Sequence, residues 1–327
     1  MEATADAYLR TQLEERRKRL LAASVGADGD GSMAELLLEV NSALERMDRG
    51  TYGICDECHD TIEKDRLLND PLTRVCIDHL TEPERRALES DLELAARVQR
   101  GLLPANDFRA AGWRIHYRYE PAGAVSGDYC DVIRGDGNSG EVFFSVGDVS
   151  GKGVAASMLM THLHAMFRSL SGVGLPIDKL LARANSVFCE STTAGQYATL
   201  VCGRAGANGD VEISNAGHLP ALLLRRKEVR SLAASGLPLG MFSSGRYPLE
   251  KLKLESGDSL ILYTDGLTEV VDSANREYGI GRLANFFEGR HASRPETLTA
   301  DCLKEIAKYS ANGAPKDDRT MLVLYRE

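Results

Sequence analysis

The sequence predicts an α+β protein, with two antiparallel sheets flanked by helices and a helical region in front. Three observations lead to this. From Trp113 onward the chain breaks into short β-prone runs joined by short turns, which pair antiparallel. Helical periodicity returns in separate blocks rather than after every strand. Before residue 104 the apolar spacing is helical, interrupted only by a short cysteine-containing stretch.

Residues 7–24 read as a helix with charged clusters around Leu13, Leu20 and Leu21. The stretch 26–31 (GADGDG) is a breaker-rich loop. A second helix over 33–47 carries Leu36, Val40, Leu44 and Met47 on one stripe. The cysteine-containing module spans 50–80. A third helix is predicted over 82–103, with Leu88, Leu92, Ala95, Val98 and Leu102 on one face and charge on the other. Pro83 suits its first turn and Pro104 stops it. At 1.5 Å per residue the rod is roughly 33 Å long. It either packs on its own domain or pairs with its copy in a homodimer and relays a signal.

Strands are predicted at 113–119, 142–146, 197–202, 211–214, 221–224, 260–263 and 321–325. Asn208-Gly209 marks a hairpin, and 135–140 a longer hairpin loop. Helices fill 154–171, 176–190, 280–288 and 295–310.

The chain has 327 residues, long enough for two units. A net charge of −9 argues against a general nucleic-acid binder, which needs cations to neutralise phosphates. The first 19 residues lack an apolar targeting core, and no apolar run approaches a membrane span, so a cytoplasmic protein is expected. Of seven cysteines, Cys130, Cys189, Cys202 and Cys302 are scattered and read as small buried hydrophobes.

The other three belong to a metal pattern. Cys55-x2-Cys58 and Cys76-x2-His79, with 17 residues between the pairs, match tetrahedral zinc. A module of this size cannot build a core alone, so bound Zn²⁺ supplies its folding free energy. His59 is not expected to ligate, because its position would distort the knuckle; an iron–sulfur cluster is the alternative. The run Ala43 to Cys55, with Ile62, Arg66-Leu67, Pro71 and Cys76, resembles the zinc finger of the DksA/TraR family over about 33–80. His79 stands where that family has its last cysteine, and His59 where it usually has glycine. The resemblance implies action on RNA polymerase through an acidic coiled-coil tip. Glu2 and Asp6 are not spaced as such a tip, so a structural or dimerising role is expected.

Four acidic motifs, each beside glycine or at a turn, stand out in the second half. They lie at 126–131, 147–153, 264–269 and 316–320, and centre on Asp128, Asp148, Asp265 and Asp317-Asp318. Aspartates just past apolar strands can converge at one end of a sheet. Carboxylates that close repel unless cations lie between them, and oxygen-only ligands favour Mg²⁺ or Mn²⁺. Two such ions can activate water for in-line attack on a phosphoryl group. No cysteine has an arginine six positions later, which excludes a Cys-x5-Arg route, and 147–153 is not a P-loop.

The set of four, in this order, resembles the PPM-type metal-dependent phosphatases, in particular the SpoIIE/RsbU branch, over about 90–327. Supporting matches are Ala95, Arg97-Val98-Gln99, Leu102-Leu103-Pro104, 197–200, Asn215-Ala216-Gly217-His218 and 236–240. Ser126 departs mildly from a common glycine. The resemblance implies an α-β-β-α sandwich and a two-ion Mn²⁺ or Mg²⁺ site. By position, Asp148 bridges both ions and Val149 offers its carbonyl. Asp265 and Asp317 complete the first ion's shell, and Asp128 acts in the second's. Asp318 replaces Asp317 if the alignment slips by one. His218 reads as a hydrogen-bonded packing histidine, with a proton donor as the alternative.

The organisation expected is a helical region with the finger (1–80), a linker helix (81–106) and a phosphatase domain (107–327). The implied substrate is a phosphoserine or phosphothreonine protein, an anti-sigma-factor antagonist by family analogy. The alternative is a zinc-finger transcription-associated regulator with a non-catalytic PPM-fold scaffold.

Overall fold

The structure is a computed structural model that describes residues 2–24, 31–135, 140–193, 195–310 and 315–327. The expected loops at 26–31 and 135–140 lie outside these residues but for their end glycines. The chain forms two compact units that divide between Asp91 and Leu92. No helix among the described residues is long and apolar enough to cross a membrane.

In the first unit, α1 (Glu2–Ser24) packs on α2 (Gly31–Asp48) through buried Leu13, Val40, Ala43 and Leu44. A second small cluster joins Leu9 to Cys55, Ile62, Leu67 and Cys76. A one-and-a-half-turn helix α3 (Lys64–Asn69) and a tight turn (Ile77–His79) complete the module. So few apolar side chains cannot hold a fold alone, and this places the weight on the cysteine cluster.

Helix α4 (Glu82–Leu102) follows the predicted span to within a residue. Glu84 accepts hydrogen bonds from the Thr81 N–H (2.9 Å) and hydroxyl (2.5 Å), which satisfies donors at the helix start. Pro104 ends it, and the Pro104 carbonyl accepts the Tyr117 hydroxyl at 2.9 Å.

The second unit is a sandwich of antiparallel sheets. One runs β1 (Asp107–Ala110), β2 (Trp113–Glu120), β11 (Arg319–Arg326), β10 (Ser259–Tyr263), β7 (Ala221–Arg225), β8 (Glu228–Leu232). The other runs β3 (Asp128–Arg134), β4 (Val142–Val149), β5 (Ala198–Ala205), β6 (Asp210–Ala216), β9 (Glu250–Lys253). Between them lies a core around Trp113, Phe144, Leu262 and Leu322. Helices α5 (Gly153–Ser171) and α6 (Ile177–Ser191) cover the second sheet through Met160, Phe167 and Phe188. Helices α7 (Gly279–Phe287) and α8 (Pro295–Tyr309) cover the first through Leu283, Phe287 and Ile306.

Strands β1, β3, β8 and β9 escape sequence reading. The first, third and fourth are half-exposed edge strands of four or five residues, too short and too polar to stand out. Strand β3 is also an edge, but it is buried and carries Asp128 and Asp131, which break its apolar pattern. Asp131 is tolerated because Arg168 grips both its oxygens at 2.7 Å. Cys130, Cys202 and Cys302 are buried as expected. Cys189 is only half-buried, because its thiol turns toward the Phe242 carbonyl at the edge of the helical layer.

Candidate active site and metal centres

Apolar strands carry acids to a common end of the sandwich. Strand β4 ends in Asp148-Val149, and β10 runs into Thr264-Asp265. Strand β11 starts just after Asp317-Asp318 and lies antiparallel to β10, with Tyr263 opposite Met321. The end of one therefore meets the start of the other. Gly266 permits this approach: a Cβ there would lie 1.9 Å from the Asp318 carbonyl.

Asp148, Asp265, Asp317, Asp318 and Glu269 line one cavity of about 480 Å³ with Val149, Thr199 and His218. Among the described residues that line it, one cation stands against these five carboxylates: Lys152, whose Nζ donates to Asp317 Oδ2 at 2.7 Å. Burial and then Asp265, Asp317 and Asp318 push the Asp148 carboxyl up to about 7. Burial and then Asp317 raise Asp265 as well, and burial followed by Asp265 raises Glu269. An excess of desolvated carboxylates, all oxygen donors, is the charge pattern that hard divalent cations relieve. As a set these oxygens do not all fall within 4.8 Å of one another. That spread leaves room for water ligands.

Asp128 does not line the cavity. It sits opposite Asp148 in the β3–β4 ladder and is buried. Its Oδ2 accepts from the Thr264 hydroxyl at 2.8 Å and the Thr320 hydroxyl at 2.5 Å. Asp128 thus ties the second sheet to β10 and β11 of the first. Burial and then Asp148 hold its carboxyl well above the usual range.

The adjacent acids at 317 and 318 face different partners. Asp318 accepts from the Ala122 N–H at 2.8 Å and the Gly127 N–H at 2.9 Å, and so fastens the loop before Asp128. Asp317 keeps Oδ2 toward Lys152 and the cavity. His218 has both ring nitrogens engaged, Nε2 with the Tyr263 carbonyl at 3.0 Å and Nδ1 with the Thr199 hydroxyl at 2.8 Å. Burial pushes its pKa down to about 4. Asn215 supports the segment, accepting the His218 N–H and donating to the Leu219 carbonyl. Sequence reading gave no part to Lys152, Glu269 or Gln99, although all three lie inside the quoted motifs.

In the first unit, ligand atoms of Cys55, Cys58, Cys76 and His79 all lie within 4.8 Å of one another. Cys58 Sγ is 3.7 Å from Cys76 Sγ, and His79 Nδ1 is 3.2 Å from Cys76 Sγ and 4.0 Å from Cys55 Sγ. A tetrahedron with Zn–S near 2.3 Å has sulfur–sulfur edges of about 3.7 Å, so the donor set fits zinc. Burial raises the Cys55 thiol, but N–H groups of Cys58, Cys76 and Glu57 outweigh it and bring it to about 6. His59 is exposed and outside this set. Its φ of 62° is a left-handed backbone that glycine adopts more freely. Asp107, His116 and Glu296 also lie close together. Arg114 already pairs with Glu296 at 2.8 Å, and Asp107 is exposed, so they form a surface ion-pair group.

Two packed antiparallel sheets, helices on both outer faces and acids gathered at one end define a PPM-type phosphatase domain. The chain belongs to the Stage II sporulation protein E (SpoIIE) family, whose model matches residues 138–327. The prokaryotic dksA/traR C4-type zinc finger matches residues 50–78, with His79 here in place of a fourth cysteine. Phosphoserine phosphatase RsbU of Bacillus subtilis is 28% identical over 248 residues, covering 74% of this chain and 72% of that protein. Protein IcfG of Synechocystis is 28% identical over 267 residues, covering 72% of this chain. The chain spans only 41% of the length of IcfG. The structure of the RsbU and RsbW domains of Rv1364c from Mycobacterium tuberculosis superposes with a TM-score of 0.57 at 25% identity, covering 69% of this chain and 62% of that one. The PP2C phosphatase domain of SpoIIE from Bacillus subtilis, solved with a fragment of its regulatory domain, gives 0.58 at 20% identity, covering 68% and 64%.

Proposed function

We propose that this chain is a metal-dependent protein phosphatase that hydrolyses phosphoserine or phosphothreonine on a regulatory protein. One observation carries the reading: five carboxylates face a single cavity, and among the described residues that line it Lys152 is the one cation. Asp148, the Val149 carbonyl, Asp265 and Asp317 would hold two Mn²⁺ or Mg²⁺ ions, with Asp128 reaching the second through water. Bound there, the ions supply an activated water and neutralise the phosphoryl group under attack. The chain's own part is to gather and orient the acids. Thr264 and Thr320 fix Asp128, and Asp318 fastens the loop beside it. Lys152, exposed at the lip, offers positive charge to an incoming phosphate.

The finer assignments rest on likeness. The printed names of RsbU and RsbP as phosphoserine phosphatases support a seryl phosphoprotein, and the family analogy an anti-sigma-factor antagonist. The organisation we adopt is 1–80 for the helical region and finger, 81–106 for the linker helix and 107–327 for the phosphatase domain, in a cytoplasmic protein. The first holds one Zn²⁺ on Cys55, Cys58, Cys76 and His79. Leu88, Leu94 and Val98 of α4 are 41–56% exposed, which suits pairing with a second copy.

The test is hydrolysis of an aryl phosphate and of a phosphoserine protein by the full chain with Mn²⁺. Activity that Asp148→Ala abolishes supports the reading. Absence of Mn²⁺-dependent activity in the parent chain sinks it, and favours the non-catalytic scaffold.

A further inference from the structure

The first unit holds a cavity of about 740 Å³, within the size range of small-molecule sites. Arg16, Arg46, Arg66 and Arg74 line it, together with His79 of the zinc set. Two of these arginines are incompletely satisfied. Nε and Nη1 of Arg46 and Nη1 of Arg66 are out of contact with solvent, and among the described residues no protein atom accepts from them. A buried N–H without an acceptor costs free energy, and a guanidinium cannot escape that cost by losing its proton.

Arg46 stands in the last turn of α2, with Cζ 5.9 Å from the centre of the Tyr52 ring. The ring face attracts the charge but accepts none of the orphaned N–H groups. Burial and then the charge of Arg74 oppose the Arg46 cation. Asp56 favours it, but Asp56 Oδ2 already accepts Arg74 Nε at 2.6 Å.

The carboxylates of the cavity do not fill this gap. Glu39, Glu57, Asp70 and Glu84 all belong to exposed residues, whereas Arg16, Arg46 and Arg66 are half-buried. Glu84 Oε2 is taken by the N–H and hydroxyl of Thr81, and Asp70 Oδ1 by the Leu72 N–H. The cavity thus offers buried cations to an anion and exposed carboxylates to hydroxyl donors.

We propose that this cavity binds a small phosphate monoester of a polyhydroxy compound. The phosphate neutralises Arg46 beside Arg74, where positive charge is least compensated. Hydroxyl groups both accept and donate, so the rest of the ligand can take the Arg66 N–H and bond the carboxylates. A larger polyanion is disfavoured, because the same carboxylates repel negative charge that extends past the arginines. The site is separate from the carboxylate cavity of the second unit, and it stands whether or not that cavity is catalytic. Val75 and His79 also line it, so a bound ligand stabilises the finger by mass action.

The experiment titrates the zinc-loaded full chain, without Mn²⁺, with ribose 5-phosphate, inorganic phosphate and ribose, read by calorimetry. Without divalent ions the five carboxylates of the second unit repel phosphate, so the heat reports the first unit. Ribose 5-phosphate should bind one per chain with a dissociation constant of about 1 mM or below, which a few charge-assisted bonds supply. Inorganic phosphate should bind at least about 10-fold more weakly, and ribose not at all. Arg46→Met should weaken ribose 5-phosphate by about 10-fold or more, and Arg66→Met by about fivefold. Arg46→Lys keeps the charge and loses the Nε donor; it should weaken binding by about fivefold, and it serves as the test if Arg46→Met loses the amide dispersion of the module. No saturable binding by the parent overturns the proposal, as does parental affinity in a folded variant of either arginine. Inorganic phosphate that binds as tightly as ribose 5-phosphate overturns the polyhydroxy monoester in favour of the free ion.

Discussion

Asp317 and Asp318 are neighbours with separate tasks. Asp318 spends both oxygens on the N–H groups of Ala122 and Gly127, while Asp317 turns Oδ2 to Lys152 at the cavity. Both residues immediately precede β11 (Arg319–Arg326), and their side chains take different partners.

The two acids should therefore fail differently when mutated. Asp317→Asn is expected to lower Mn²⁺-dependent turnover by about 100-fold or more, the upper range for disturbed metal sites, with little change in melting temperature. Asp318→Ala leaves two N–H groups without an acceptor, at about 1–3 kcal/mol, and should lower the melting temperature by roughly 2–10 °C. Thermal unfolding and Mn²⁺ titration of both variants check this, and a reversed pattern would exchange the roles.

Crowded acids should also make the metal-free protein less stable than it could be. Asp148→Asn removes a carboxyl that burial and Asp265, Asp317 and Asp318 oppose. At pH 7.5 it should raise the melting temperature of the metal-free chain by about 2–4 °C, equivalent to about 1 kcal/mol after allowance for solvent screening. Mn²⁺ should stabilise the parent and leave this variant nearly unmoved. Calorimetry with chelator and with Mn²⁺ reads both effects.

His218 predicts a pH dependence. Burial depresses its folded pKa to about 4, while the unfolded chain keeps the ordinary value near 6.5. Above 6.5 both states hold it neutral and its packing contributes fully. Between 6.5 and 4 only the unfolded chain gains the proton, so stability falls as pH falls. His218→Gln should flatten the melting-temperature profile over that window. An unchanged slope would mean that other groups control it.

The finger should carry one zinc per chain, measured by elemental analysis. Cys58→Ser or His79→Ala should lose it and melt 50–80, seen as lost amide dispersion, because the apolar clusters there are small. His59→Gly should keep the zinc and stabilise the module by about 1 kcal/mol, since glycine accepts the left-handed backbone without a Cβ clash.

The amino-acid sequence by itself determined the longer helices, the boundaries of α4 to within a residue, the apolar inner strands of both sheets and the spacing of the Cys55, Cys58, Cys76 and His79 set, but not the edge strands β1, β3, β8 and β9. It also placed acids beside glycines at strand ends. These are local properties, written in periodicity and in short spacings that one turn or one strand enforces. Tertiary structure alone decided that Asp128 faces Thr264 and Thr320, that Asp318 grips the loop at 122–127, and that Gln99 reaches Ser126. Each joins residues from 27 to 196 positions apart. No local pattern encodes such a pairing, because it exists only after two sheets have closed on a shared core and left particular polar atoms without water.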